Sequence, residues 1–381
     1  MAKFLHTSDW QLGMTRRFLG TEAQARYLDD QIESIRRLAR ITSDNDCAFV
    51  VVAGDIFESL QPDRRIVTRV IDALSEFTVP VYLVPGNHDA DSPSALWSTS
   101  NILSQLNEMV HFVRDASPIS VAGTDVEIIA APWPSRRPDR DLIEEAIANL
   151  LPPNSGVYRV VVGHGVVDVL NPDPDNQAAI KTGHLEEAIS SGSLHYVALG
   201  DRHTCTSIGK TGAIWYSGAP LMTSVNEILE DTNRALIVDL GDVPPSVTPV
   251  EVGGWRFLRA EISASGEELV ANVREFLDSQ PNKERTVIRL TLEGTVNLSE
   301  SDALERVLDL AGDLFASVTI SPTRTDLAVV TDESDFTRLD LSGFGHEALA
   351  EIVGAASPEQ GDNADASHAL RLLYRLVVNA R

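Results

Sequence analysis

The sequence predicts an α/β fold: a sheet core flanked by helices, then a small α+β domain and a C-terminal helical element. Three observations support this prediction. Short β-branched runs alternate with helical patterns through the first half of the chain, strands follow one another directly after Asp201, and a new strand–helix pattern begins near Trp255. The 381 residues are 43% hydrophobic and 23% charged, which is typical of a folded globular protein.

The first half of the chain alternates between the two kinds of element. Strands are predicted at Lys3–Thr7, Phe49–Ala53, Val79–Val84, Val126–Ala130, Tyr158–Val162 and Tyr196–Leu199. Helices are predicted at Glu22–Arg40, Asp63–Phe77, Asp141–Leu151 and His184–Ser190. In a sheet built this way, ligands bind at the carboxyl ends of the strands.

Strands without intervening helices follow, at Ala213–Tyr216, Ala235–Leu240 and Val247–Val252, so one side of the fold is predicted to be antiparallel. Pro249 restricts the last of these to an edge position, because proline cannot donate a ladder hydrogen bond.

The last third predicts a second domain and a tail. A strand near Trp255 is followed by helices at Glu267–Leu277 and Ser301–Leu310 and strands at Thr286–Leu292 and Ser317–Ile320. A polar linker, ASPEQGDNADA, then precedes an apolar stripe at helical spacing: Leu370, Leu372, Leu373, Leu376 and Val377. The predicted domains are therefore residues 1–252, 253–342 and 343–381.

Five segments that follow apolar strands carry residue types that bind metals. They are Ser8-Asp9-Trp10-Gln11, Gly54-Asp55-Ile56-Phe57-Glu58, Gly86-Asn87-His88-Asp89, Gly163-His164-Gly165 and Gly200-Asp201-Arg202-His203. Any one alone is typical of an ordinary turn or a buried histidine. All five at strand ends predict one site, whose carboxylate, amide and imidazole groups suit Mn²⁺, Mg²⁺ or Zn²⁺.

This set of motifs resembles the calcineurin-like metallophosphoesterases. The segments Phe4–Trp10 and Gly54–Glu58 are most similar to the DNA-repair exonuclease branch of that family, which contains the SbcD nuclease subunit of bacterial SbcCD. The resemblance covers about residues 1–250 by motif. It implies that residues 1–252 form the catalytic domain, that residues 253–342 form a capping domain, and that residues 343–381 bind a partner.

The resemblance implies two divalent ions and a set of site residues. One ion would be held by Asp9, Gln11, Asp55 and His203, and the other by Asp55, Asn87, His164 and Asp201. A hydroxide generated by the ions would attack the phosphorus in line. His88 matches the residue that protonates the leaving oxygen, and Glu58 matches the acidic residue that orients it.

Two positions depart from the family pattern, which has histidine where this chain has Gln11 and Asp201. An amide and a carboxylate are harder ligands than imidazole, so they favour Mn²⁺ or Mg²⁺ over Zn²⁺. The position beside Gln11 is open to weak occupancy. We favour a working, retuned site, because His88, Glu58 and His164 are all present.

Other polar residues have weaker claims to a role. His6 lies inside a strand, so a satisfied core or supporting histidine is the better interpretation. Arginine pairs are usually solvated, but Arg16, Arg17, Arg136 and Arg137 follow strand ends on the side of the site and are candidates for phosphate binding. The Leu370–Val377 stripe either packs on its own domain or, as the resemblance suggests, docks on a coiled-coil ATPase similar to SbcC. A homodimer is also implied by the family.

The charge of the chain limits how it can bind DNA. Its 31 Lys+Arg against 56 Asp+Glu give a net charge of −25, so bulk electrostatic attraction to a phosphate backbone is excluded and DNA binding by the isolated chain should be weak and salt-sensitive. Two cysteines and the absence of a long apolar run predict a cytoplasmic protein with no membrane segment.

The sequence therefore predicts a metal-dependent phosphodiesterase, a DNA exonuclease or endonuclease subunit of a repair complex. Two alternatives stay open at this point. One is a phosphoesterase for small substrates such as a cyclic nucleotide or a phosphomonoester, and the other is a degenerate fold kept as a non-catalytic scaffold.

Overall fold

A computed structural model describes residues 2–93, 95–98, 100–227 and 231–329, together with positions 347–348, 351–352, 355 and 369. The chain divides into two compact units, Met1–Arg256 and Phe257–Arg381. The predicted linker and the Leu370–Val377 stripe lie outside the described residues. The predicted boundaries at 252 and 342 therefore stay predictions.

The first unit contains two six-stranded sheets. The first sheet has the order β12-β11-β1-β2-β3-β4. Its strands are β1 (Lys3–Thr7), β2 (Phe49–Ala53), β3 (Val81–Val84), β4 (Val110–Phe112), β11 (Arg234–Asp239) and β12 (Ser246–Glu251). Strands β1 to β4 run parallel, and β11 and β12 are antiparallel, as the sequence predicted. Pro249 lies in the edge strand β12.

The second sheet has the order β5-β6-β7-β8-β10-β9. Its strands are β5 (Ile119–Ser120), β6 (Val126–Ala131), β7 (Tyr158–His164), β8 (Tyr196–Gly200), β9 (Thr206–Ile208) and β10 (Ile214–Tyr216). The sequence predicted one sheet core, but the strands separate into two. The difference is physical: strands such as β2 are buried on both faces, so no alternation of apolar and polar residues showed which face meets a helix and which meets another sheet.

Alternate residues of the central strands point into two different cores. Phe4, Phe49 and Tyr196 lie in the core between the sheets, whereas Leu5 and Val50 face helices on the outer side. Helices α1 (Thr21–Asp44) and α2 (Arg64–Leu74) cover the first sheet, and α4 (Leu142–Ile147) and α5 (Thr182–Ser190) cover the second. A short α3 (Ser100–Leu103) precedes β4. The result is an α/β fold of two packed sheets with helices outside.

The second unit is an α+β arrangement. Strands β13 (Arg256–Ser263), β14 (Thr286–Val296) and β15 (Ser317–Ile320) form a sheet in that order, and β16 (Asp326–Val329) also pairs with β14. Helices α6 (Gly266–Asp278) and α7 (Leu298–Leu314) pack on this sheet, and Asn297 begins α7 with a reciprocal capping box to Glu300. Across the described residues, no helix is long and apolar enough to cross a bilayer.

Candidate metal centre

The five predicted motifs meet where strands of both sheets end. The loop after β1 pairs with the loop after β2, since the Asp9 N–H donates to Gly54 O at 3.0 Å and the Gln11 N–H donates to Asp55 O at 2.9 Å. The Asp201 N–H, which follows β8 in the other sheet, donates to both Asp9 oxygens at 3.1 and 3.2 Å. Backbone hydrogen bonds therefore hold these loops against one another.

The backbone at this site is strained. Four predicted ligands have a positive φ, a conformation that side chains with a Cβ seldom adopt: Asp9 at 52°, Gln11 at 44°, Asp55 at 54° and Asp201 at 100°. Such strain persists where the surrounding structure enforces it, and it is concentrated at functional sites.

Glycines at the strand ends make room for the ligands. A Cβ on Gly54 would lie 2.2 Å from His164 Nδ1, and one on Gly86 would lie 2.3 Å from Asp55 Oδ1. A Cβ on Gly200 would lie 1.9 Å from the Ala53 carbonyl oxygen. The glycines therefore make room for the His164 and Asp55 side chains and, at Gly200, for the Ala53 carbonyl.

The most compact part of the site surrounds His164. Ligand atoms of Asp9, Asp55 and His164 all lie within 4.8 Å of one another. His164 Nε2 is 2.8 Å from Asn87 Oδ1, 3.4 Å from Asp55 Oδ1 and 3.8 Å from Asp201 Oδ1. Its other nitrogen, Nδ1, donates to the Ala53 carbonyl at 2.9 Å, which fixes the ring.

His203 lies on the other side of Asp9, with Nε2 3.9 Å from Asp9 Oδ1 and 2.9 Å from Gln11 Nε2. Its Nδ1 is 2.7 Å from Thr223 Oγ1 and 3.0 Å from Glu227 Oε1. Burial alone would lower the pKa of His203, but the hydrogen bond to Glu227 and the charge of Asp9 raise it to about 9. Thr223 and Glu227 were not predicted as site residues, since no spacing signal links them to His203.

His88 lies at the partly exposed mouth of the site. Its Nδ1 is 3.0 Å from the main-chain carbonyl oxygen of Glu58 and 3.7 Å from the Glu58 carboxylate. Its Nε2 faces Asp55 Oδ2 at 4.0 Å. The orienting hydrogen bond at Glu58 therefore comes from the main chain, and the carboxylate assigned that role from sequence contributes charge.

Asp89 and Ser8 support the site, although in the sequence they stood out only as parts of motifs. Asp89 is 1% exposed and accepts the N–H groups of Gly86, Ile56 and Phe57 at 2.9, 3.1 and 3.3 Å. Ser8 Oγ donates to Asp9 at 2.5 Å. Because Asp89 joins the loops after β2 and β3, it keeps their ligands in register.

The buried carboxylates concentrate negative charge. Burial raises the pKa of Asp9 to about 6, and burial together with repulsion from Asp55 raises the pKa of Asp89 to about 6. Burial would also raise the pKa of Asp55, but the neighbouring His164 lowers it. Burial would lower the pKa of His164, and the charge of Asp55 raises it well above its usual range. A bound cation would therefore stabilise this cluster of buried carboxylates.

Two further observations show that the residues fit divalent ions. Gln11 Oε1 and Glu58 Oε2 are buried and have no hydrogen-bond partner among the described residues. A buried oxygen without a donor is costly unless a ligand completes it. Carboxylate, amide and imidazole donors converge here without thiolates, which is the chemistry of hard or borderline divalent ions.

The four predicted phosphate-binding arginines differ in burial. Arg16 is half-buried, and its charge lowers the pKa of both Glu58 and Tyr27, in each case against the larger effect of burial. Arg17, Arg136 and Arg137 are exposed. Of the predicted phosphate-binding residues, Arg16 is thus the one whose charge acts on a site residue. His6 is buried in the core, as the sequence predicted.

Comparison with known proteins places the chain in a family. The family model for calcineurin-like phosphoesterases matches residues 2–205. The SbcD subunit of the nuclease SbcCD from Bacillus subtilis (strain 168) is 23% identical over 256 residues, which is 59% of this chain and 63% of the relative. The match therefore spans less than two thirds of that protein.

Solved structures with a similar chain trace include TT1561 of Thermus thermophilus and a dimetal phosphatase from Danio rerio. The first is 15% identical with a TM-score of 0.42, and the second is 15% identical with a TM-score of 0.37. Each match covers 66% of this chain and 99% of the other. Because the family model matches more than half of the chain, the protein belongs to the calcineurin-like phosphoesterases, metal-binding hydrolases of phosphoester bonds.

Proposed function

We propose that this protein is a metal-dependent phosphodiesterase that cleaves DNA, acting as the nuclease subunit of a repair complex. The observation that carries the proposal is the placement of His88. Its Nδ1 is held by the Glu58 carbonyl at 3.0 Å, and its Nε2 faces the carboxylate cluster at the mouth of the site. An imidazole fixed beside a metal centre but open to solvent is suited to proton transfer.

The cluster would hold two divalent ions, Mn²⁺ in preference to Mg²⁺ or Zn²⁺. Asp9, Gln11, Asp55 and His203 would hold one, and Asp55, Asn87, His164 and Asp201 the other, with Asp55 shared. When bound, such ions neutralise the phosphate charge and activate a water for attack. The unpartnered Gln11 Oε1 and the buried, mutually close Asp9 and Asp55 support this assignment.

His88 would protonate the leaving oxygen. With Nδ1–H donated to the Glu58 carbonyl, the second proton of an imidazolium resides on Nε2, the atom that faces the cluster. The carboxylates of Asp55 and Glu58 lie 4.0 and 3.7 Å from its two nitrogens. The main-chain carbonyl of Glu58 therefore sets the direction in which Nε2 presents its proton.

Arg16 would bind a substrate phosphate next to the cleaved one. Its guanidinium lies where its charge acts on Glu58, and its buried Nε has no hydrogen-bond partner among the described residues. A guanidinium with an unused donor is suited to a phosphate oxygen. Arg17, Arg136 and Arg137 stay predictions for more distant phosphates.

DNA as substrate is supported by the motifs and by the relative, whose name identifies a nuclease subunit. A net charge of −25 requires local attraction, which the ions and Arg16 would supply. A coiled-coil ATPase similar to SbcC would then contribute most of the binding affinity for DNA. Residues 343–381 are the proposed contact for that partner, and a homodimer remains part of the same proposal.

The test is a substrate panel with the full chain and Mn²⁺: linear duplex DNA, bis-nitrophenyl phosphate, nitrophenyl phosphate and cyclic nucleotides. We expect cleavage of DNA and of the diester. The variant His88→Gln should lose about 10²- to 10⁴-fold in kcat on DNA while its metal content is unchanged.

The other outcomes contradict the proposal in different ways. Faster turnover of cyclic nucleotides or the monoester than of DNA would indicate a small-substrate phosphoesterase. No turnover on any substrate, with no metal bound, would indicate a scaffold. Full DNA cleavage by His88→Gln would refute only the proposed role of His88.

A further inference from the structure

The two histidines of the site face opposite kinds of neighbour. Around His164 Nε2 the nearest polar side-chain atoms are oxygens, of Asn87 at 2.8 Å, Asp55 at 3.4 Å and Asp201 at 3.8 Å. Each of these can donate an electron pair. An ion that replaces the Nε2 proton therefore meets the ligands it needs, and the Nδ1–H bond to the Ala53 carbonyl is undisturbed.

Around His203 the arrangement is different, because Nε2 lies 2.9 Å from the amide nitrogen of Gln11. In the neutral ring, which is the form that can bind a metal, Nδ1–H is directed at Thr223 and Glu227 and the lone pair on Nε2 accepts from the Gln11 amide. The same lone pair would have to bind an ion. The nearest neighbour of His203 thus competes with a metal, whereas the neighbours of His164 assist it.

Turning the Gln11 amide does not remove this conflict. With Oε1 toward His203, the amide would accept a hydrogen bond from a protonated Nε2, which then has no lone pair for a metal. If an ion takes Nε2, the Gln11 N–H loses its acceptor in a position only 3% exposed. An unsatisfied buried donor is unfavourable. Gln11 can therefore offer Oε1 to an ion beside His203 only by giving up this hydrogen bond, which weakens the position.

Asp9, which belongs to the same half of the site, is also engaged. Ser8 Oγ donates to its Oδ2 at 2.5 Å, and the Asp201 N–H reaches both of its oxygens at 3.1 and 3.2 Å. Asp55 Oδ1 accepts the His88 N–H at 2.9 Å, whereas no hydrogen bond to Asp55 Oδ2 is found within the described part of the chain. Asp55, which both positions share, therefore keeps an unused oxygen, while both oxygens of Asp9 are engaged.

We infer that the two metal positions are unequal: one ion is resident among Asp55, Asn87, His164 and Asp201, and a second position beside Asp9 and His203 exchanges its ion and fills only at higher metal concentration. Gln11 is the residue that weakens the second position. The inference rests on the proposed metal-dependent function. It makes activity depend on free Mn²⁺ over a range well above that needed to load the first ion.

The test is Mn²⁺ titration of the full chain by calorimetry, with electron paramagnetic resonance at each stoichiometry. The wild type should bind one ion with a mononuclear six-line spectrum, and a second at least about tenfold more weakly. In Gln11→His, which exchanges the competing amide for an imidazole, the two affinities should converge and the spectrum at two equivalents should be spin-coupled. Gln177→His, in an exposed loop, is the matched control and should match the wild type.

A second variant tests the mechanism without adding a ligand. Gln11→Ala removes the N–H that occupies His203, so the second affinity should increase. A decrease would show that the Gln11 oxygen contributes more as a ligand than its N–H costs, and would overturn the inference. Two equal, tight sites in the wild type would also overturn the inference. If that protein still cleaves DNA, the proposed function would stand. A chain that binds no Mn²⁺ refutes both.

Discussion

His6 is a buried base whose protonation opposes folding. It lies in β1 with no exposed surface, its Nδ1 3.1 Å from the Tyr196 hydroxyl and its Nε2 3.2 Å from the Leu199 carbonyl oxygen. A neutral ring satisfies both contacts, accepting from the hydroxyl and donating to the carbonyl. Glutamine has one acceptor and one donor group as well but does not titrate, so His6→Gln isolates the proton.

The size and sign of the effect follow from the pKa. Burial lowers the pKa of His6 from 6.5 to about 3, so between these values the unfolded chain binds a proton that the folded chain does not. Stability from this group is therefore complete above about pH 6.5 and is lost as the pH falls. At about 1.36 kcal/mol per pH unit, the loss is about 2 kcal/mol at pH 5 and approaches about 5 kcal/mol near pH 3.

Tryptophan fluorescence during urea unfolding reports on the compact unit that contains His6, because all five tryptophans lie in Met1–Arg256. The measurement is made with a chelator at pH 7.5 and pH 5. The free-energy difference between the wild type and His6→Gln should change by about 2 kcal/mol, to the disadvantage of the wild type at pH 5. Val51→Ala, a cavity in the same inter-sheet core, should give the same difference at both values. A pH-independent difference for His6→Gln would refute the reasoning.

Three further predictions concern the site. Glu227→Gln removes the charged acceptor of His203 Nδ1–H and should weaken the second Mn²⁺ affinity by about 10- to 100-fold in calorimetry, leaving the first unchanged. Gly200→Ala forces a Cβ to within 1.9 Å of the Ala53 carbonyl and should destabilise the first unit by about 1–3 kcal/mol or more in urea. Gly183→Ala, a helical position with open space around it, should instead be neutral or stabilise by up to about 1 kcal/mol. DNA binding by the isolated chain should fall steeply between 50 and 200 mM salt, and salt-resistant binding in a filter or fluorescence assay would contradict the local-attraction argument.

Much of the fold could be predicted from the local pattern of apolar and polar residues. Predicted strands Lys3–Thr7, Phe49–Ala53 and Ser317–Ile320 agree with β1, β2 and β15 in full. The strands β4, β5, β9 and β16 were not predicted. The first three have only two or three residues, which is too few to show a periodicity that separates a strand from a loop. Helix α4 ends at Ile147 rather than Leu151, before the proline pair that follows.

By itself the sequence determined which side chains follow the strand ends, because a motif and the strand before it are neighbours along the chain. Asp9, Asp55, His88, His164 and His203 could be nominated on that basis. Their residue types also indicate which class of metal would suit them, since donor chemistry does not depend on the fold.

Only the tertiary structure decided how these groups pair. The division into two sheets, the contact of Glu227 with His203 and the Gln11 amide against that ring all join segments far apart in sequence. The orienting bond on His88 comes from a main-chain carbonyl, an atom that every residue has. Local pattern records what each segment offers, whereas donors and acceptors are matched only when packing sets the distances between segments.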